Sequence, residues 1–245
     1  MESSPVWSVL QMVAALTLTP LNGPAPQETA VAPIPAPIQA AQAPKPATPV
    51  FWQPQLSQWR RVLDTHAGQS ALYELCQRAP HQCPSRRVAH WQRFLDRQSY
   101  ETPMRQLLAV NNYMNRYPYK QDDWLYGQSD YWANVQEFLE QSGDCEDFAI
   151  AKYFSLRQLG FPAEDMQILL VYDVYSGTDH AVLRVALDGN VYFLDNREDL
   201  IDRAGFEKRY RPHLAFNEAD VHLYDQPLMA RSIRGDDERI IPGNR

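Results

Sequence analysis

A proline-rich stretch over residues 20–54 sets the first limit on how this 245-residue chain can fold, because it holds ten of the nineteen prolines. Proline fixes its own φ angle and has no backbone N–H, so this stretch can enter neither a helix interior nor a central strand. We therefore predict an extended Pro/Ala-rich linker over 23–54 that contributes no core. A single folded domain is predicted over 55–228, followed by a polar tail over 229–245.

The segment before the linker, over 1–22, contains the apolar run VWSVLQMVAALTLTPL from Val6 to Leu21. The run is short for a membrane span, which needs about 20 apolar residues. It is similar to the apolar part of a secretory signal, although MESSP before it carries no positive side chain. We expect an export signal, cleaved or retained as an inner-membrane anchor, and hence a periplasmic protein. A leader without structure is the alternative.

The composition is that of a folded protein with an acidic balance. Hydrophobic residues make up 44% of the chain, enough for one substantial core or two small domains. The formal net charge is −7 and the basic residues are dispersed, which argues against a nucleic-acid-binding protein.

Helical patterns dominate the first half of the predicted domain and strands the second. The segment 57–78 is helix-like with an interruption at Gly68, and apolar residues recur at helical spacing in the segments after it. The dipeptide Asp188-Gly189 between two apolar runs is a strong hairpin signal. The predicted strands are MQILLVYDV (166–174), AVLRVAL (181–187) and NVYFLDN (190–196). We predict an α+β fold.

The three cysteines fall into a pair and a single residue. Cys76 and Cys83 flank a turn at Pro80, and an exported protein could join them by a disulfide. Two unpaired thiols are the alternative, and the intervening His81 completes no zinc pattern. Cys145 directly precedes the helix-like segment EDFAIAKYFSLRQLG, at the predicted helix start. It is a candidate nucleophile, because a helix N-terminus stabilises a thiolate. Its alternative is a small buried apolar residue.

A cysteine nucleophile needs a base and a group that orients the base. Among six histidines, His180 directly precedes the strand AVLRVAL, and Asp195 ends the next strand. If Asp188-Gly189 is the turn, residues whose numbers sum to about 377 face each other. His180 and Asp195 are then diagonal neighbours, within reach of a carboxylate–imidazole hydrogen bond. An aspartate that belongs only to a turn is the alternative.

Several segments resemble one protein family. GDCEDFAIAKYFSLRQLGF, HAVLRV and YFLDN, with VNNYMNRYPYKQDDW and SDYWANVQEFLEQSGDCED upstream, are similar to the bacterial transglutaminase-like cysteine proteinases. The resemblance covers about 55–225 and implies a papain-like/transglutaminase-like core, in which the catalytic cysteine opens a helix packed on an antiparallel sheet. Carried onto this chain, the family triad is Cys145 as nucleophile, His180 as base and acid, and Asp195 as orienter. The Cys145 N–H would bind the oxyanion, with Trp132 as a candidate second donor or, alternatively, a packing residue.

The resemblance also implies calcium. Its ligands would include Asp144, Glu146 and Asp147, with Asp122 and Asp123 as further candidates, because calcium takes six to eight oxygens. Without the resemblance, Asp144 and Asp147 would be taken as the N-cap and third residue of a capping box.

By resemblance, the chain is expected to be a calcium-dependent, exported cysteine endopeptidase. It would cut the N-terminal region of a large cell-surface adhesin, control biofilm attachment, and be inhibited by an inner-membrane receptor for cyclic di-GMP. Two alternatives remain open at this point. One is a transglutaminase that passes the same thioester to an amine, and the other is a calcium-stabilised binding module without turnover.

Overall fold

The structure is a computed structural model that describes residues 52–198 and 201–224, and of Ile201 only the backbone. The predicted leader, nearly all of the linker and the C-terminal tail lie outside the described residues. The first helix begins at Gln53 and the last strand ends at Leu223. The limits of the predicted domain, 55–228, stay a prediction.

Seven helices precede the sheet in the described part of the chain. The predicted interruption at Gly68 is confirmed, since one helix ends there and the next begins at Ser70. Side-chain caps start two others: Ser85 accepts a hydrogen bond from the Val88 N–H, and Asn134 forms a capping box with Glu137. The helices are α1 (Gln53–Gly68), α2 (Ser70–Arg78), α3 (Arg86–Gln98), α4 (Pro103–Met114), α5 (Asp122–Tyr126), α6 (Val135–Gln141) and α7 (Cys145–Gln158).

Helix α7 is the centre of the core. Residues Glu146 to Leu156 are all buried, as expected of a helix that is covered on every side. It packs against α4 and α6 on one side and against the sheet on the other. Its start at Cys145 and its 14 residues confirm the predicted helix.

The sheet is six-stranded and antiparallel, in the order β4-β3-β2-β1-β5-β6. The predicted hairpin turn is confirmed: Asp188 and Gly189 both have positive φ, 49° and 76°, and Leu187 pairs with Asn190. Helix α8, β4, β5 and β6 were not predicted. The elements are β1 (Met166–Asp173), β2 (Thr178–Leu187), β3 (Asn190–Leu194), β4 (Ile201–Asp202), α8 (Arg203–Arg209), β5 (Tyr210–Phe216) and β6 (Val221–Leu223).

Cys76, in the last turn of α2, is bonded to Cys83 in the loop before α3, with their Cα atoms 4.6 Å apart. The disulfide closes the turn that contains His81. Cys145 is the free cysteine of the described chain. None of the helices described is long and apolar enough to cross a membrane.

Candidate active site

Cys145 is placed by a tightly packed helix start. Asp144 is the N-cap of α7, and its N–H donates to Asp147 Oδ2 over 3.2 Å, which is one half of the expected capping box. Asp147 Oδ1 accepts a second hydrogen bond, 2.6 Å long, from the N–H of Ala133. Gly143 passes so close that a Cβ atom there would lie 1.9 Å from Asp147 Oδ2. These contacts leave little freedom to the backbone that carries Cys145.

The hairpin supplies the imidazole and the carboxylate. His180, the third residue of β2, places Nε2 at 2.9 Å from Oδ1 of Asp195, the residue after β3. Both side chains have no solvent exposure. Because a carboxylate can only accept, Nε2 of His180 carries the hydrogen and Nδ1 of the neutral ring has the lone pair. Within the described residues Nδ1 has no hydrogen-bond partner.

Asp195 is itself held on three sides. Its Oδ1 also accepts from the Arg197 N–H at 2.9 Å, its Oδ2 accepts from the Tyr210 hydroxyl, and its carbonyl oxygen accepts from Asn115, the residue after α4. Burial alone would raise the pKa of Asp195, but the hydrogen bonds from His180, Tyr210 and Arg197 hold it well below its usual range. Asp195 is therefore an ionised partner that fixes the His180 ring.

Cys145 and His180 line the same cavity, which has a volume of about 270 Å³. The Cys145 thiol donates to Glu146 Oε2 at 3.3 Å. Burial, and then the charges of Glu146 and Asp144, raise the pKa of this thiol well above its usual range. A nucleophilic Cys145 in this environment needs a base such as His180 to remove its proton as it attacks.

An acidic cluster lies behind the cysteine. Asp122 at the start of α5 brings a carboxylate oxygen within 4.8 Å of those of Asp144 and Asp147. Asp122 Oδ2 accepts from the Tyr131 N–H at 2.6 Å. The other oxygen of Asp122, Oδ1, and Oδ1 of Asp144 are buried without a hydrogen-bond partner among the described residues. Buried acceptors that lie close together without a donor are a suitable set of ligands for a hard cation such as calcium.

The predicted ligand residues divide between two groups. Glu146 lies in a second cluster with Asp144 and Cys145, so Asp144 belongs to both clusters. Asp122 joins the first cluster, whereas Asp123 is exposed and is in neither. Burial raises the pKa of Asp122 to about 6, with the charge of Asp144 adding to it. Burial and neighbouring carboxylates likewise raise the pKa values of Glu146 and Asp147 well above the usual range. A cation bound between these carboxylates would offset the electrostatic repulsion that contributes to their raised pKa values.

Trp132 lines the cavity, but its one hydrogen-bond donor is engaged. The indole Nε1–H donates to Asp130 Oδ1 at 2.8 Å, and the ring stacks on Phe216 with centroids 5.5 Å apart. These contacts favour the alternative of a packing residue, and the role of Trp132 as an oxyanion donor stays a prediction. The loop before α6 contributes two other contacts: the Asp130 carboxylate accepts from the Trp132 indole, and the Ala133 N–H donates to Asp147.

Two buried groups of the site escaped sequence analysis. Tyr210, whose hydroxyl holds Asp195, lies on β5, a strand that the pattern did not indicate. Lys152 lies two turns after Cys145 on α7, with no solvent exposure and no hydrogen-bond partner for Nζ among the described residues. Burial lowers the pKa of Lys152 to about 7, and the charge of Asp195 opposes this shift. A lysine within the otherwise apolar run AIAKYF was the signal available for it.

Comparison with known proteins agrees with this geometry. The family model of the bacterial transglutaminase-like cysteine proteinases matches residues 64–211, more than half of the chain. The calcium-bound form of Legionella pneumophila LapG is 26% identical, with a TM-score of 0.54, over 66% of this chain and 98% of that chain. The EGTA-treated form is 27% identical, with the same TM-score of 0.54, over 63% of this chain and 86% of that chain. No curated protein sequence gives a significant match.

The fold is papain-like/transglutaminase-like, and the predicted α+β class is confirmed. The chain belongs to the bacterial transglutaminase-like cysteine proteinases and is a cysteine peptidase.

Proposed function

We propose that the protein is a calcium-dependent cysteine endopeptidase whose triad is Cys145, His180 and Asp195. The observation that carries this proposal is the buried His180–Asp195 pair, 2.9 Å apart, on the wall of the cavity that also contains the cysteine at the start of α7. These are the three roles that cysteine proteolysis needs: a nucleophile, a base, and a group that orients the base.

The proposed reaction begins when Cys145 Sγ attacks the carbonyl carbon of the scissile peptide bond, while Nδ1 of His180 takes the thiol proton. The imidazolium formed is stabilised by the ionised Asp195. His180 then gives the proton to the leaving amine as the C–N bond breaks, which leaves a thioester on Sγ. Water, deprotonated by His180, attacks the thioester and releases the acid and the free thiol.

The oxyanion of each tetrahedral intermediate needs hydrogen-bond donors. Cys145 is the first residue of α7, and the backbone N–H groups of the first helical turn have no acceptor within their own helix. The Cys145 N–H is the donor that we propose. The positive end of the α7 macrodipole adds to the stabilisation of negative charge at this point.

We propose that calcium binds the cluster of Asp122, Asp144 and Asp147, with Glu146 as an adjacent candidate. Two observations support this. Buried oxygens of Asp122 and Asp144 have no hydrogen-bond partner among the described residues, and calcium-bound and EGTA-treated forms of the similar LapG exist. Bound calcium would supply positive charge here. This charge would neutralise the carboxylates that oppose ionisation of Cys145.

The sequence resemblance supports a further part of the proposal. The protein would act in the periplasm on the N-terminal region of a large surface adhesin and thereby control biofilm attachment. An inner-membrane receptor for cyclic di-GMP would inhibit it. These partners follow from the family resemblance, and the substrate is the part that can be tested directly.

The test is to incubate the protein with the N-terminal fragment of a candidate adhesin and to analyse the products by mass spectrometry. We expect one defined cleavage with calcium, at least tenfold less with excess EGTA, and none with Cys145→Ala. A matched control, Ser99→Ala directly after α3, should cleave at the wild-type rate. A labelled amine in the same reaction separates the alternatives, because a transglutaminase would attach it and a protease would not. Cleavage that survives Cys145→Ala would sink the proposal.

A further inference from the structure

The cavity that contains Cys145 and His180 has a second wall that the triad does not use. This wall is formed by Trp52 and Gln55 at the start of the helical half and by His213 on β5. These three residues lie outside the range 64–211 that the family model matches. Their side chains therefore extend the cavity beyond the residues that the family model matches.

His213 owes its position to a bulge in the sheet. Strand β5 pairs Pro212 with Val171 and Leu214 with Leu170 of β1, so two successive residues of β1 face three residues of β5. His213 is the extra residue, and its carbonyl oxygen accepts from the Tyr224 N–H at 3.0 Å. A bulge of this kind turns a side chain away from its regular direction, and such bulges are enriched beside active sites.

Three polar atoms on this wall, Gln55 Oε1 and both ring nitrogens of His213, are buried without a hydrogen-bond partner among the described residues. His213 has only 5% of its surface exposed, yet neither ring nitrogen has a hydrogen-bond partner among the described residues. Asp179 Oδ1 lies 3.7 Å from His213 Nε2, which is too far for a hydrogen bond. Gln55 Oε1 is likewise buried without a partner in this part of the chain. A buried polar group of this kind lowers the stability of the fold unless a ligand or water satisfies it.

We propose that Gln55 and His213 form a subsite that binds the main chain of the peptide substrate next to the scissile bond, which rests on the protease function proposed above. Every peptide unit presents one N–H donor and one C=O acceptor. The Gln55 amide and a neutral His213 imidazole each offer both a donor and an acceptor, so they match an extended peptide whatever its side chains. Trp52, whose ring stacks on His213 with centroids 6.3 Å apart, supplies the apolar side of this subsite.

The test compares two alkylating reagents with the same reactive group, chloroacetone and N-acetyl-trialanyl chloromethyl ketone. Both alkylate a reactive Cys145, but only the second carries a peptide main chain. We expect wild-type protein to react faster with the peptide reagent. Gln55→Ala and His213→Ala should each slow that reaction about fivefold, which corresponds to one net hydrogen bond. Their reaction with chloroacetone should stay within about twofold of wild type, because thiol activation does not depend on the subsite.

His222→Ala is the matched control, since His222 is an exposed histidine on the neighbouring strand β6. It should leave both rates unchanged. Wild-type protein without a preference for the peptide reagent, or variants that keep the wild-type preference, would overturn the subsite. Equal loss of both rates would also overturn it, because it would assign these residues to the support of Cys145. A Cys145 that reacts with neither reagent in wild-type protein would contradict the proposed protease function and the subsite with it.

Discussion

At the scale of single residues, Gly143 determines how closely the chain can pack behind the nucleophile. A Cβ at this position would lie 1.9 Å from Asp147 Oδ2 and 2.6 Å from its Cγ. The Asp147 carboxylate cannot move away without losing the hydrogen bonds from the N–H groups of Ala133 and Asp144. Position 143 therefore requires glycine because of a close approach, not because of its backbone angles.

We expect Gly143→Ala to lower the free energy of unfolding by about 2–3 kcal/mol, because the buried N–H of Ala133 and the part-buried N–H of Asp144 would lose their acceptor. Peptidase activity should fall at least tenfold, since Cys145 is two residues away. Urea denaturation and peptide cleavage measure the two effects. Gly68→Ala is the control: no atom of the described residues lies within 4 Å of the point that a Cβ would occupy there, so stability should change by less than about 0.5 kcal/mol. A Gly143→Ala protein as stable and active as Gly68→Ala would contradict the close approach.

At the scale of elements, Asp173 at the end of β1 joins three parts of the sheet. Its fully buried carboxylate accepts from Arg197 after β3 at 3.0 Å, from Arg209 at the end of α8 at 3.0 and 3.1 Å, and from the Tyr175 N–H at 3.0 Å. Arg197 also donates its backbone N–H to Asp195, and Tyr210, which follows Arg209, donates its hydroxyl to Asp195. The ion pairs of Asp173 therefore support the orienter of the predicted triad.

Acid should weaken this junction in a defined pH range. Burial alone would raise the pKa of Asp173, but Arg209 and the Tyr175 N–H lower it from 3.8 to about 2. Since the pKa is lower in the folded state, the group stabilises the fold above pH 3.8 and loses this contribution as the pH falls towards 2.

We expect Asp173→Asn to lower the free energy of unfolding by about 2 kcal/mol at pH 7 and by less at about pH 2.5, as measured by urea denaturation. Asp96→Asn, an exposed change on α3, should cost nothing at either pH. An equal loss for Asp173→Asn at both pH values would disprove the electrostatic origin.

Sequence patterns could predict the elements near the nucleophile because local chemistry determines them. The Asp188-Gly189 turn sets the register of the hairpin, and this register brings His180 to Asp195. Other parts depend on contacts that no local pattern encodes. Asp122 comes close to Asp144 only when the chain is folded. The sequence pattern of β5 is irregular because His213 forms a bulge in this strand. The sequence leaves Trp132 open as an oxyanion donor or a packing residue, because the hydrogen bond from its indole N–H to Asp130 depends on the folded loop.

At the scale of the whole molecule, the acidic cluster connects two distant parts of the helical half. Asp122 belongs to α5, whereas Asp144 and Asp147 belong to the start of α7. Without a cation, the repulsion between these carboxylates acts against the contact between the two elements. A ligand that binds only the folded state adds RT ln(1 + [L]/Kd) to its stability, which is about 2.7 kcal/mol at one hundred times Kd. Calcium should therefore stabilise the entire domain.

We expect calcium to raise the melting temperature of the wild-type protein by several degrees, and EGTA to reverse the rise. Asp122→Asn should abolish the shift, because it removes a ligand charge while its side-chain oxygen can still accept from the Tyr131 N–H. In EGTA this variant should be at least as stable as wild type, since one repulsive charge is gone.

Asp123→Asn is the control. Asp123 is the exposed neighbour on the same helix, and this variant should keep the full calcium-induced shift in melting temperature. Differential scanning calorimetry of the three proteins with and without calcium measures all of these outcomes. A calcium shift that persists in Asp122→Asn would place the ion elsewhere.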